Sequence, residues 1–315
     1  MRTYFIFMHS PKKFAKAAMW HTGVEPADAV AANWVAASDP AKQRARAKIA
    51  IFFILAFSFA GILYFVRALV PSGTTFGILI WSPRLADALA MWSVGFAGCI
   101  ALIIIDRSLG DLGLKVGSPK YVILALTLPI VYGVAVYVPV WTFQLGRFAG
   151  ASMLRAAIVS AVIHSPLHLL AAAGEELGWR GVLVPNLART ADAKYVAFLP
   201  GAIWALWHYP DILFFDYNVG TPWPFALIYF SVSLIGQSAF LSRLRLASGS
   251  ILPAVAFHGV HNSVIWDIFD RVTERSAVTV YISTEFGAGL SVIGAALGYL
   301  FWSKVRSLGI ENPKG

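Results

Sequence analysis

Apolar positions along this chain gather into eight long runs separated by short polar breaks, at 49–69, 86–105, 120–143, 155–188, 195–210, 222–242, 249–269 and 282–303. A transmembrane helix needs about 20 mostly apolar residues. The pattern therefore predicts an all-α polytopic membrane protein, a conical bundle of about eight crossing helices around a cavity. Two runs are irregular. The fourth is too long for a simple crossing and is interrupted by Pro166, and the fifth is short and contains Pro200. Broken helix at membrane depth is tolerated where it lines a cavity, so the irregularity marks a place to look. The eighth run carries "GAALG", whose Gly294 and Gly298 predict a tight helix contact.

The polar breaks set the expected organisation. Residues 1–48 are mixed in polarity and end in "AKQRARAK"; they read as a cytosolic N-terminal extension whose start lacks a convincing signal-peptide pattern. Residues 49–303 form the membrane domain, and 304–315 a short cytosolic tail. Lys and Arg before the first helix, at Arg107, Lys115 and Lys120, at Arg189 and Lys194, at Arg243 and Arg245, and at Lys304 and Arg306 all fall on one side if both termini are cytosolic. Arg84, Arg147 and a mixed "DRVTER" loop fall on the other.

Composition reinforces the membrane reading. Hydrophobic residues make up 58% and charged residues 13%, against about 45–50% and 25% in ordinary soluble domains. Mean hydropathy is +0.69. The formal net charge of +9 comes from scattered loop residues rather than one patch, which argues for a lipid bilayer and against nucleic acid as the partner. A single cysteine, Cys99, leaves no intramolecular disulfide and no cysteine-based zinc site. The Ala-rich, one-cysteine character suits a bacterial plasma membrane.

The candidate chemistry lies in "AAAGEELGWRGVLVP", residues 171–185. Each acidic residue at a membrane helix centre costs about 2.5–3.5 kcal/mol on translocon scales, so Glu175 and Glu176 require a function or a partner. Glu176 and Arg180 stand at i and i+4, acid first, which predicts an ion pair. Glu175 points about 100° away and has no evident local partner, which suits a general base. Glu175 and His208 each lie roughly 20 Å along a helix from the break at 190–193. His258 lies at a similar distance beyond Arg245, and Asn262 follows it at i+4, while His261 is offset and expected to face elsewhere. Three helices thereby bring two glutamates, two histidines and Asn262 to one depth.

These residues resemble the CAAX-protease and bacteriocin-processing (CPBP, or Abi) family of intramembrane peptidases. Its Glu-Glu-x-x-x-Arg motif stands as "EELGWR", Glu175 to Arg180. Its aromatic-x-x-x-His motif stands as "WALWH", Trp204 to His208, with Trp for the usual Phe. Its His-x-x-x-Asn motif stands as "HGVHN", His258 to Asn262. The resemblance covers roughly residues 85–303. It implies an endopeptidase that hydrolyses a peptide bond of a membrane-associated substrate, of CAAX or bacteriocin-leader type. The resemblance implies a catalytic set of Glu175, Glu176, His208, His258 and Asn262 supported by Arg180 and Trp204, in which Glu175 with His208 would activate water and His258 and Asn262 would stabilise the oxyanion or help hold a metal. Glu175, His208 and His258 could form a zinc shell with one open position. The same residues equally suit metal-free chemistry. The chain has no His-Glu-x-x-His motif, so ordinary zincin chemistry is not expected.

Blander readings stand beside these. Glu175 and Glu176 could be a helix-end pair facing headgroups, with Arg180 snorkelling. His164 and His168, at i and i+4, suit an interfacial pair better than an accessory metal site. Asp267 and Asp270 suit the outer end of the seventh helix. The aromatics of "WHYPDILFFDYNVGTPWP" suit an interfacial belt, a substrate wall, or both. Gln237 and Ser238 could line a cavity or bridge helices. A transporter, proton relay or scaffold could use the same buried cluster; a transporter would favour inverted repeats, and none is evident.

Overall fold

The computed structural model describes residues 38–70 and 83–308, and the side chains from residue 88 onward in the second segment. Long helices account for most of it. They are α1 (Asp39–Leu69), α2 (Pro83–Asp106), α3 (Pro119–Thr142), α4 (Ala151–Gly178), α5 (Ala193–Phe214), α6 (Trp223–Ser248), α7 (Leu252–Asn262) and α8 (Ala288–Arg306). Two three-residue strands, β1 (Gly146–Phe148) and β2 (Thr273–Arg275), pair antiparallel at one end of the bundle. The all-α polytopic expectation holds.

Three details differ from the apolar runs. Helix α1 begins at Asp39, with a proline in its first turn that lacks no needed N–H there, so residues 39–48 are its first turns. The rest of the predicted extension, with His9 and His21, and the end of the tail lie outside the described residues. Helix α5 does not stop at 210; it passes through Pro200 and Pro210 to Phe214. Finally, six rather than eight of the described helices are long and apolar enough to cross a membrane on those grounds alone. The two that fall short are α5, which carries His208 and Asp211, and α7, which has only 11 residues before its π segment and carries His258, His261 and Asn262. The polar cluster lowers the hydropathy of the helices that hold it.

One stripe of α1, Ala45, Lys48, Phe52, Ala56 and Ala60, is buried at helical spacing, while Ile54, Ile62 and Phe65 on the other face are exposed as lipid-facing positions. Helix α2 packs on α1 and α4, α7 on α4 and α3, and α6 on both α5 and α8. Small residues set the closest approaches. A Cβ on Gly95 would meet the Gly174 carbonyl at 2.5 Å, and one on Gly98 would meet Gly178 Cα at 3.0 Å. That contact seats the turn carrying Glu175 and Glu176 against α2. The expected contact at Gly294 is present too, against the backbone of Ser233 and Gly236 on α6.

Helix α4 changes period within one turn of its acidic pair. Residues Trp179–Leu183 form a π turn, followed by a short α piece, Val184–Ala188. Helix α7 does the same after Asn262, continuing as a π segment, Ser263–Asp270. Wider turns of this kind are rare and concentrate at functional sites. Here the first begins within the Glu175–Arg180 motif and the second directly after Asn262.

Candidate active site

Glu175 and Glu176 lie on the last turn of α4 and are fully enclosed by neighbouring helices. Arg180 Nη1 is 3.0 Å from Glu176 Oε1, and neither side chain has any exposure. The pair predicted from spacing is therefore buried, not an interfacial pair with a snorkelling arginine. Breaking such a pair by removing one partner leaves a buried charge and costs about 3–5 kcal/mol. The Arg180 guanidinium also lies 4.6 Å above the Trp204 ring on α5, a cation–π contact that adds about 0.5–2 kcal/mol.

Glu176 has a second partner. His258 Nδ1 lies 3.0 Å from the same Oε1. A carboxylate only accepts hydrogen bonds, so this contact puts the proton on Nδ1 and turns Nε2 away from Glu176. Trp204 completes the arrangement, with its ring edge-on to His258 at 5.2 Å and tilted against His208 at 6.4 Å. The tryptophan that replaces the usual phenylalanine thus packs on both histidines and on the arginine.

Glu175, Trp204, His208, His258 and Asn262 all line one cavity of about 260 Å³. Glu176 does not line it; it stands behind His258. Glu175 is not partnerless as its spacing suggested, because Trp179 Nε1 donates to its Oε2 at 3.2 Å across the next turn. His208 is surrounded by rings, edge-on to Trp207 at 4.9 Å and to Phe230 at 5.3 Å. His261 does not face elsewhere. It lines the same cavity and its Nδ1 meets the Tyr132 hydroxyl of α3.

Residues 158–264 match the family described as type II CAAX prenyl endopeptidase, Rce1-like. All three motifs fall inside that span. Over 148 residues the chain is 28% identical to CAAX prenyl protease 2 of Methanococcus maripaludis, an alignment covering 46% of this chain and 51% of that protein. The chain thus spans about half the length of the curated relative it matches. Both likenesses are to CAAX prenyl endopeptidases.

The zinc shell expected from Glu175, His208 and His258 has no support in the geometry. Among the described residues, no three His, Cys, Asp or Glu side chains converge in a way that could hold a metal ion. His258 commits Nδ1 to Glu176, and His208 is packed edge-on against Trp207 and Phe230. The described side chains do not fit a metal.

Several contributors were missed or misread in the sequence. Arg245 looked like a loop cation, yet it is buried, donating from Nε to the Arg180 carbonyl at 2.9 Å and from Nη2 to the Asp111 carbonyl at 2.8 Å. It thereby serves the backbone of the π turn, where regular helix bonding is interrupted. On α1, Tyr64 donates to Asp211 Oδ2 at 2.6 Å and Arg67 pairs with Asp211 Oδ1 at 3.2 Å; Arg67 and Asp211 both line the cavity. Their separation of over a hundred residues leaves no local signal. Gln237 lines the cavity and donates to Ser233 at 2.8 Å, while Ser238 is buried away from it. Of the aromatics after His208, Phe215 and Tyr217 line the cavity and Phe214 and Trp223 face outward, so that segment is both wall and belt. His164 and His168 do not form a pair: His164 meets Ser160 at 3.2 Å and His168 meets Asp267 at 2.8 Å. Asp270 ends the π segment of α7, as expected, and accepts from Tyr137 at 2.6 Å.

Proposed function

We propose that this protein is an intramembrane endopeptidase in which Glu175 activates water against a peptide bond held in the cavity. The observation that carries the reading is the meeting of Glu175, His208, His258 and Asn262 on one cavity inside an apolar bundle, within the segment that matches the Rce1-like family.

The Glu175 carboxylate takes a proton from water as the water oxygen attacks the scissile carbonyl carbon, with His208 on the same cavity orienting the water. The carbonyl oxygen becomes an oxyanion. Asn262 donates to it from its amide, and His258 donates from Nε2 when its ring carries a second proton. As the C–N bond breaks, the proton held by Glu175 passes to the leaving amine, giving one new carboxylate and one new amine per water consumed. Donors fixed before the reaction stabilise developing charge more effectively than donors that must reorganise. The Glu176–His258 bond supplies that fixation, and Arg180 holds Glu176. In this reading Glu176 and Arg180 are positioning residues.

The relative's name specifies a prenylated CAAX protein as its own substrate. For this chain the substrate class is a peptide segment at the membrane, in a bacterial plasma membrane. The test compares protein termini in membranes of cells carrying wild type, no copy, or Glu175→Gln at equal expression. Termini present with wild type and lost in both other cells support the reading. A Glu175→Gln protein that restores every terminus overturns it.

A further inference from the structure

The eight helices alternate in direction, so their ends form two faces. One holds the start of α1, the α2–α3 connection, the α4–α5 connection, the α6–α7 connection and the end of α8. The other holds the α3–α4 connection with β1, residues 215–222, and the segment 271–287 with β2. The cavity does not lie midway between them. From Glu175, His208 and His258 at mid-depth it runs past Trp266 to Arg67 near the end of α1, Asp211 and Asp216 at the end of α5, and Glu285 before α8. All of these outer residues belong to the second face. Against the first face the cavity is closed by the π turn of α4, which Arg245 ties to the Asp111 loop.

The two faces differ in charge. Arg44, Lys48, Lys115, Arg189, Lys194 and Lys304 stand on the first face, along with several other basic residues; Asp106 and Asp111 pair with Arg44, Lys48 and Arg189 but are far outnumbered by the basic residues there. Asp211, Asp216, Glu274 and Glu285 on the second face offset its few arginines, and the Arg147 guanidinium there is itself paired with Glu274. Short loops rich in Lys and Arg are retained in the cytosol. The closed face is thus the cytosolic one.

We infer that the cavity opens to the extracytoplasmic side, and that the substrate is a peptide segment presented from that side of the membrane, not a lipidated tail in the cytosol. The orientation stands on helix direction and charge alone; the substrate class rests in addition on the peptidase reading above. A prenylated cytosolic tail would have to cross most of the bilayer to reach Glu175. An extracytoplasmic juxtamembrane segment or leader meets the opening directly.

The test uses the full chain with Cys99→Ala, carrying either Val116→Cys in the α2–α3 loop or Val278→Cys in the 271–287 segment. Both valines are exposed, at 83% and 50%, and neither lines the cavity. Spheroplasts are treated with a membrane-impermeant maleimide before and after permeabilisation. Labelling of Val278→Cys in intact spheroplasts, with Val116→Cys labelled only after permeabilisation, is the expected result. The reverse pattern, or equal labelling of both in intact spheroplasts, overturns the orientation. Should neither cysteine react, fusions after the final residue decide: a fluorescent cytosolic reporter supports the orientation, and active alkaline phosphatase at the same point overturns it. The Glu175→Gln termini comparison then reads the substrate class. Cleavage sites in cytosolic segments overturn that class, whereas an absence of Glu175-dependent termini overturns the peptidase reading and leaves the labelling result standing.

Discussion

Replacing Glu176 by glutamine separates positioning from chemistry. Glu176 Oε1 holds both Arg180 and His258 at 3.0 Å, and it does so where no water reaches either side chain of the ion pair. Glutamine keeps the volume and one acceptor but removes the charge. Arg180 is then a buried cation without its carboxylate, a loss of about 3–5 kcal/mol of stability. On the scaling for large domains this is a fall of roughly 6–10 °C in thermal midpoint. The His258 bond weakens from charge-assisted to neutral, and losing a hydrogen bond to a charged group is worth about 1.5–3 kcal/mol. If His258 must be held for oxyanion donation, turnover drops about 10- to 150-fold. A second variant, Glu176→Gln with Arg180→Met, removes the stranded cation. Its stability is expected to return toward wild type, since apolar replacement of a whole buried pair is often neutral or better. Its activity is not, because His258 still lacks the carboxylate. Thermal unfolding in detergent reads the first quantity, and the rate of product-terminus formation in membranes at equal expression reads the second. A double variant with wild-type turnover refutes the positioning role, and a single variant as stable as wild type refutes the buried-pair reasoning.

Two further outcomes follow from the same geometry. Arg245→Ala leaves the Arg180 and Asp111 carbonyls without their charged donor, and is expected to lower stability by about 1.5–3 kcal/mol and turnover with it; Arg245→Lys, which keeps one donor, should lose less of both, and equal behaviour of the two variants in unfolding and turnover would sink the idea. Because no ion-holding set forms among the described residues, activity is expected to persist after a strong chelator and extensive dialysis. Activity lost to chelation and restored by a divalent metal would show that side chains rearrange to bind one.

The sequence by itself determined the membrane class, the number of long helical segments and the identity of the motif residues. Those features are local or nearly so: 20-residue hydropathy, an i to i+4 acid–base pair, a histidine four residues from an asparagine. It marked the fourth and fifth runs as irregular from length, Pro166 and Pro200, but α4 passes through Pro166 and loses its period only at Trp179, α5 runs through Pro200, and the irregular end of α7 carried no such mark. Tertiary structure decided what each group touches. Glu176 joins His258 across 82 positions of chain, and Asp211 joins Tyr64 and Arg67 across still longer separations. Arg245 changes from a loop cation to a buried backbone donor because the π turn of α4 interrupts the regular bonding at the Arg180 carbonyl. His261 faces the cavity because it stands three residues after His258 on a regular helix, which keeps the two on one side, and its place is fixed by Tyr132 on another helix. Periodicity assigns residues to faces only while a helix stays regular, and the site of this protein lies where two helices stop being so.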